Sequence, residues 1–209
     1  MDATATAVAF MFVIMIFSSL GGNTNRTGSY KPTNSFPSGS FPSGEVFKPQ
    51  VPSSIEPQVG IIEDQTYKDI LQFILRFRKP EQAQAVAQAI VKQSQTYGVN
   101  PKLVTALMRR ESGFNPYALS SSGAMGLGQL LPSTCKTTGV TDPYDIDDNA
   151  KGTVRYMKYL LDKFKNSSDP VMFALAGYLE GPNNVARNNG YSAKTAGYVQ
   201  DIVDLYHKI

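Results

Sequence analysis

Glu111 is the residue whose type and placement best suit proton transfer. Leu103, Val104, Leu107, Met108 and Glu111 fall at i, i+1, i+4, i+5 and i+8, the spacing of one helix face, so the carboxyl belongs to an apolar stripe. Burial there disfavours the anion, and the negative end of the helix dipole in a last turn pushes the same way, so the pKa should rise. A carboxylic acid that stays neutral near neutral pH can protonate a weakly basic oxygen such as that of a glycosidic bond. Periodicity alone leaves a second reading open, a glutamate swung outward or paired with an Arg.

Few other groups could share this chemistry. His207 and Cys135 are the sole histidine and cysteine. A multi-histidine metal site, a thiolate zinc cluster, a CxxC redox pair and an intramolecular disulfide are therefore excluded, and no serine or cysteine has a plausible imidazole partner. No metal or organic cofactor is expected. Cys135 reads as a small buried hydrophobe and His207 as a surface residue of the last helix. The net charge of +3 comes from scattered Lys and Arg, which leaves no nucleic-acid footprint.

Glu111 needs a helical frame. Beyond Ile61 no alternation is long enough to build a sheet, and helical spacing recurs. Ile70, Leu71, Ile74, Leu75 and Phe77 mark a first helix that ends before Pro80. Ala83, Val86, Ala87, Ile90 and Val91 mark a second, closed at Gly98, a glycine suited to the left-handed C-terminal position. Asn100 is a good N-cap for the third, with Pro101 in the first turn. Further helices are expected from about Asn149 to Phe164, from Asp169-Pro170 to about Tyr178, and from about Ala193 to the end. The fold class is all-α, one domain over residues 61–209, since 209 residues hardly supply two cores.

Two segments precede that domain. Residues 1–20 carry an uncharged run from Ala3 to Leu20, whose helical length of about 27 Å approaches a bilayer core. Asp2 before the run, no preceding Lys or Arg and no A-x-A-like site speak for an uncleaved anchor over a cleaved signal peptide. Residues 21–60, rich in Pro, Ser and Gly, hold a direct repeat of Ser-Phe-Pro-Ser-Gly at Ser35 and Ser40 and read as a linker. Its reach is on the order of 35 Å as coil and roughly 120 Å extended.

Three stretches carry a resemblance. Glu111-Ser112-Gly113-Phe114-Asn115-Pro116 and Ser120-Ser121-Ser122-Gly123-Ala124-Met125-Gly126-Leu127-Gly128-Gln129-Leu130-Leu131-Pro132 resemble the Glu-Ser and Gly-Leu-Met-Gln motifs of the soluble lytic transglycosylase family. Ala174-Leu175-Ala176-Gly177-Tyr178-Leu179-Glu180-Gly181-Pro182 resembles its Ala-Tyr-Asn-Ala-Gly-Pro segment, and Thr195 with Tyr198-Val199 its Thr-x-x-Tyr-Val. The resemblance implies a goose-lysozyme-like core, Glu111 as the single catalytic acid/base, and Ser112, Ser120, Gly126, Gln129 and Tyr178 at the glycan site, with Tyr178 hydrogen-bonded to Glu111. Gly123, Gly126 and Gly128 would let the backbone approach a sugar closely. Gly128 stands where the family has Met, which would widen the groove or remove an apolar contact, and Leu179 where it has Asn, a contact to the acetamido group.

The implied reaction is cleavage of peptidoglycan between N-acetylmuramic acid and N-acetylglucosamine with closure of a 1,6-anhydro ring. A hydrolase using Glu180 as second carboxylate would instead need it about 6.5–9.5 Å from Glu111. A non-catalytic glycan-binding or structural protein is the reading from another class. The expected partners are peptidoglycan strands and, through the N-terminal segment, a membrane or virion assembly. The expected setting is a phage virion acting in the host periplasm or a bacterial inner membrane facing the periplasm, and the missing basic residues ahead of the apolar run favour the virion.

Overall fold

Five helices begin on a proline, at Pro80, Pro101, Pro132, Pro170 and Pro182, where its missing N–H is one the first turn leaves unpaired anyway. The structure is a computed structural model that describes residues 65–209, and the expected anchor, linker and start of the domain at Ile61 lie outside the described residues. In chain order the helices are α1 Gln65–Leu75, α2 Pro80–Tyr97, α3 Pro101–Ser112, α4 Pro132–Thr138, α5 Ile146–Lys163, α6 Pro170–Glu180, α7 Pro182–Asn188 and α8 Ala193–Tyr206. The all-α expectation holds: the described residues contain no strand, only isolated bridges of Met125 to Leu119 and Leu130. No helix among them is long and apolar enough to cross a membrane.

The expected helix ends are present. Gly98 closes α2 with φ of 66°, its N–H donating to the Ser94 carbonyl. Asn100 caps α3 by accepting from the N–H groups of Lys102 and Leu103. Two short helices escaped the sequence reading, α4 and α7, each of 7 residues. One and a half to two turns hold too few apolar positions to print a period.

α3 is the core helix, packed by α1, α2, α5 and α8. Every residue from Leu103 to Met108 is buried, so the stripe read from spacing is in fact a full wrap. Met172 to Gly177 of α6 are buried in the same way. Both helices end at the surface of the core, and their last turns carry Glu111 and Glu180. Between α3 and α4 the chain makes a glycine-rich loop, tied by the pairing of Met125 with Leu130 and by Gly126 N–H donating to Ala118.

Candidate active site

Glu111 lies one turn from the apolar heart of α3, and Gly113 closes the helix just beyond it, its N–H donating to the carbonyls of Arg109 and Met108. The residue keeps partial solvent contact, yet protein surrounds its carboxyl closely enough that burial dominates its titration and pushes the pKa up to about 7. Two influences pull the other way, a hydrogen bond from the Tyr198 hydroxyl and the charge of Arg110. Arg110 does not pair with Glu111. Its guanidinium bonds Asp201 at 3.0 Å and lies 5.3 Å from the centre of the Tyr198 ring, while Arg109 stacks on Phe77 at 4.0 Å. The open alternative, an outward or Arg-paired glutamate, is not what the structure contains.

Tyr198 donates to Oε1 of Glu111, and this corrects the expected partner. Tyr178 instead donates to the Gly128 carbonyl at 2.7 Å, bracing the glycine-rich loop from behind, while Glu111 raises its pKa from close by. Tyr198 is 6% exposed on α8. Burial and the neighbouring carboxyl hold its phenol far above the usual range, so it stays a donor at any working pH. Its motif is visible in the sequence, but helix spacing does not say which tyrosine reaches the carboxyl.

Ser112 also receives a different duty. It is 1% exposed, and its hydroxyl donates to the Leu127 carbonyl at 2.7 Å with the Met108 carbonyl as a longer second acceptor at 3.3 Å, which clamps the loop to α3. Gly126 is required by the packing of the loop itself. At its φ of 72° an added Cβ would stand 2.1 Å from the Pro143 carbonyl and 2.2 Å from Asn149 Nδ2. At Gly128 a Cβ would stand 2.0 Å from Thr153 Oγ1, so Thr153 fills the space and no wider groove results.

Asn149, buried in the first turn of α5, organises this wall. Its Nδ2 donates to Pro143 at 2.7 Å and Met125 at 3.1 Å, and its Oδ1 accepts from Gly128 N–H at 2.9 Å and Thr153 at 3.3 Å. Sequence spacing marks Asn149 only as the start of a helix. An asparagine following Asp145, Asp147 and Asp148 is the sequence mark at this position, and its burial is set by packing that no local spacing encodes.

Ser120 and Gln129 stay on the loop. Ser120 Oγ accepts from Ala124 N–H at 2.9 Å and shares a hydrogen bond with Ser122. Gln129 has φ of 51°, a left-handed conformation that costs a non-glycine residue of order 1 kcal/mol. Its amide nitrogen donates to Gly126 at 3.0 Å and Ala118 at 3.2 Å, and among the described residues Oε1 has no partner.

Glu180 is committed elsewhere. Its Oε1 accepts from Ser192 Oγ at 2.7 Å, from Ser192 N–H at 3.1 Å and from Thr195 Oγ1. Burial pushes its carboxyl up, but these hydrogen bonds prevail and hold it below the usual range. Leu179 is 44% exposed. Among the described residues no group of three His, Cys, Asp or Glu could hold a metal. The open depression between α5, α6 and α7, lined by Lys163, Phe164, Asn166 and Val185 among others, includes none of the expected site residues. An isolated, partly accessible acid with a fixed phenol donor and a rigid wall can deliver one proton and take one back.

A family model described as the transglycosylase SLT domain matches residues 88–200. The transglycosylase of Enterobacteria phage PRD1 is 37% identical over 105 residues, covering 50% of this chain and 37% of that protein. The membrane-bound lytic murein transglycosylase F of Desulfosudis oleivorans is 35% identical over 111 residues, covering 52% of this chain and 24% of that one. The chain thus spans a quarter to somewhat over a third of these relatives' length. The 70 kDa soluble lytic transglycosylase of Escherichia coli superposes with a TM-score of 0.51 at 19% identity, covering 69% of this chain and 29% of that one, a likeness of fold.

Proposed function

We propose, from the premise that this chain belongs to the transglycosylase SLT domain family, that it is a peptidoglycan lytic transglycosylase with Glu111 as its one catalytic acid and base. The observation that carries the proposal is the Glu111 carboxyl, held up to about 7 by burial and oriented by Tyr198. Neutral Glu111 donates its proton to the oxygen joining N-acetylmuramic acid to N-acetylglucosamine, and the C1–O bond breaks. The acetamido group of the muramic acid stabilises the positive charge at C1. As carboxylate, Glu111 then takes the proton of the C6 hydroxyl of the same sugar, whose oxygen bonds C1 and closes the 1,6-anhydro ring. The tethered hydroxyl acts at high effective concentration, so no second carboxylate and no water are consumed. The hydrogen bonds that occupy Glu180 support this one-carboxyl route over hydrolysis.

Ser120 and Gln129 are the loop residues proposed to meet the glycan, Gln129 through Oε1. Ser112, Gly126 and Tyr178 position the wall that carries them. The likeness to the phage PRD1 transglycosylase and the apolar run from Ala3 to Leu20 support a virion or membrane setting, in which the domain opens the host wall locally. Mass spectrometry of fragments released from purified peptidoglycan by the full chain tests the activity. Anhydromuramic ends that vanish in Glu111→Gln are expected. Reducing ends would replace the lyase by a hydrolase, and full activity in the variant would remove Glu111 from the mechanism.

A further inference from the structure

An aromatic track leads from Glu111 out along α5. The Tyr178 phenol is close enough to feel the charge of Glu111, and its ring lies 5.2 Å from that of Tyr156. Tyr156 in turn lies nearly parallel to Tyr159, at 15° and 6.2 Å between ring centres. Lys163 follows, its Nζ 6.0 Å from the centre of the Tyr159 ring and 3.5 Å from Asn183 Oδ1. Tyr156, Tyr159 and Lys163 are at i, i+3 and i+7 and therefore share one face of α5.

Exposure grows along the track. Tyr178 and Tyr156 are half-buried and packed against the core, whereas Tyr159 is 48% exposed. Core packing accounts for the inner two rings and leaves the outer one unexplained. Lys163 stands on the rim of an open depression of about 320 Å³ between α5, α6 and α7. Pyranose rings present C–H faces, which suit the electron-rich face of an aromatic ring, and hydroxyl edges, which suit the polar groups around it.

We propose that Tyr159, with Lys163 and Asn183 at its edge, is a binding subsite for a pyranose ring of the strand whose scissile bond meets Glu111. The choice of a sugar strand over another partner rests on the ring-to-ring continuity with the Glu111 site, and the identity of the polymer rests on the function proposed above. The subsite acts on affinity, since Tyr159 touches neither Glu111 nor its hydrogen-bond partners.

Binding and turnover test this separately. The full chain carrying Glu111→Gln is titrated calorimetrically with the hexamer of β-1,4-linked N-acetylglucosamine, alone and with Tyr159→Ala or Tyr159→Phe added. Tyr159→Ala should weaken binding about fivefold to tenfold, and Tyr159→Phe, which keeps the ring face, should stay within about twofold. Equal affinity in all three proteins overturns the subsite, as does a Phe variant as weak as Ala, or no binding in any of them. With Glu111 restored, Tyr159→Ala should raise KM on intact sacculi by a similar factor with kcat within about twofold; an unchanged KM counts against the subsite. Tyr159-dependent binding with no cleavage by the wild type would overturn the enzymatic reading and leave the subsite standing. Concentration-dependent dimers of the wild type that Tyr159→Ala abolishes, with hexamer binding unchanged, would assign the ring to a second copy of the chain and overturn the proposal.

Discussion

Glu111 and Glu180 both occupy the last turn of a buried helix, α3 and α6, where the helix dipole disfavours negative charge equally. Their carboxyls nevertheless move in opposite directions. Glu111 has one hydroxyl donor and burial wins; Glu180 has two hydroxyls and a backbone N–H converging on one oxygen, and the donors win. All the side-chain donors come from the N-cap and the first two turns of α8: Ser192, Thr195 and Tyr198 follow at intervals of three. The first turn of α8 is spent on stabilising an anion, and the next turn offers a single phenol to the acid proposed to change its charge. Donor supply, rather than position on a helix, separates the carboxyl held low from the one held high.

The largest test of that contrast is Glu111→Gln. Cleavage should fall by about three orders of magnitude or more, since an amide neither donates nor recovers the proton. The same substitution should stabilise the fold at alkaline pH. With a folded pKa of about 7 against an ordinary value of 4.5, the folded wild type holds a proton that the unfolded chain releases between those values, so stability is lost as pH rises through that window. The loss reaches about 3 kcal/mol once Glu111 ionises. Thermal melts should place Glu111→Gln above wild type at pH above about 8, with the gap closing towards pH of about 4. Parallel curves across that range would mean that burial does not raise the Glu111 pKa.

A smaller effect separates the two tyrosines. Tyr198→Phe removes a donor that lowers the Glu111 pKa, so the alkaline limb of the pH–rate profile should move up while the maximal rate falls about tenfold to a hundredfold. Tyr178→Phe loses its bond to Gly128 and should weaken the loop without a shift of that limb. A limb that moves with Tyr178 and not with Tyr198 would reverse the assignment made from the geometry.

The α8 donors also show what the sequence could and could not say. Apolar spacing and caps such as Asn100 and Gly98 located the long helices, and the stripe singled out Glu111, because those signals lie within a few residues of each other. The partner of Glu111 lies 87 positions away and depends on how α3 and α8 cross, which no local period encodes. Gly126 and Gly128 were legible as necessary glycines, but the reason was not: Asn149 and Thr153, more than twenty residues on, take the space a side chain would fill. The residues 1–64 that bear on anchoring offer only composition.

The smallest expected effect belongs to Glu180→Gln, and it is the one that decides between one carboxyl and two. If Glu180 only fastens the start of α8, an amide oxygen can still accept from Ser192 and Thr195, and cleavage should change by less than about twofold. A base that activates water would instead cost a hundredfold or more on removal. Stability provides the second reading. The folded pKa of Glu180 lies below the ordinary value of 4.5, so its contribution is present above that value and is lost as pH falls through the folded pKa. Wild type should therefore exceed Glu180→Gln at neutral pH by a margin that shrinks on acidification. Glu111→Gln departs from wild type on the alkaline side instead. Two glutamates with opposite pH signatures in melting, only one of which matters for cleavage, is the result the donors of α8 require.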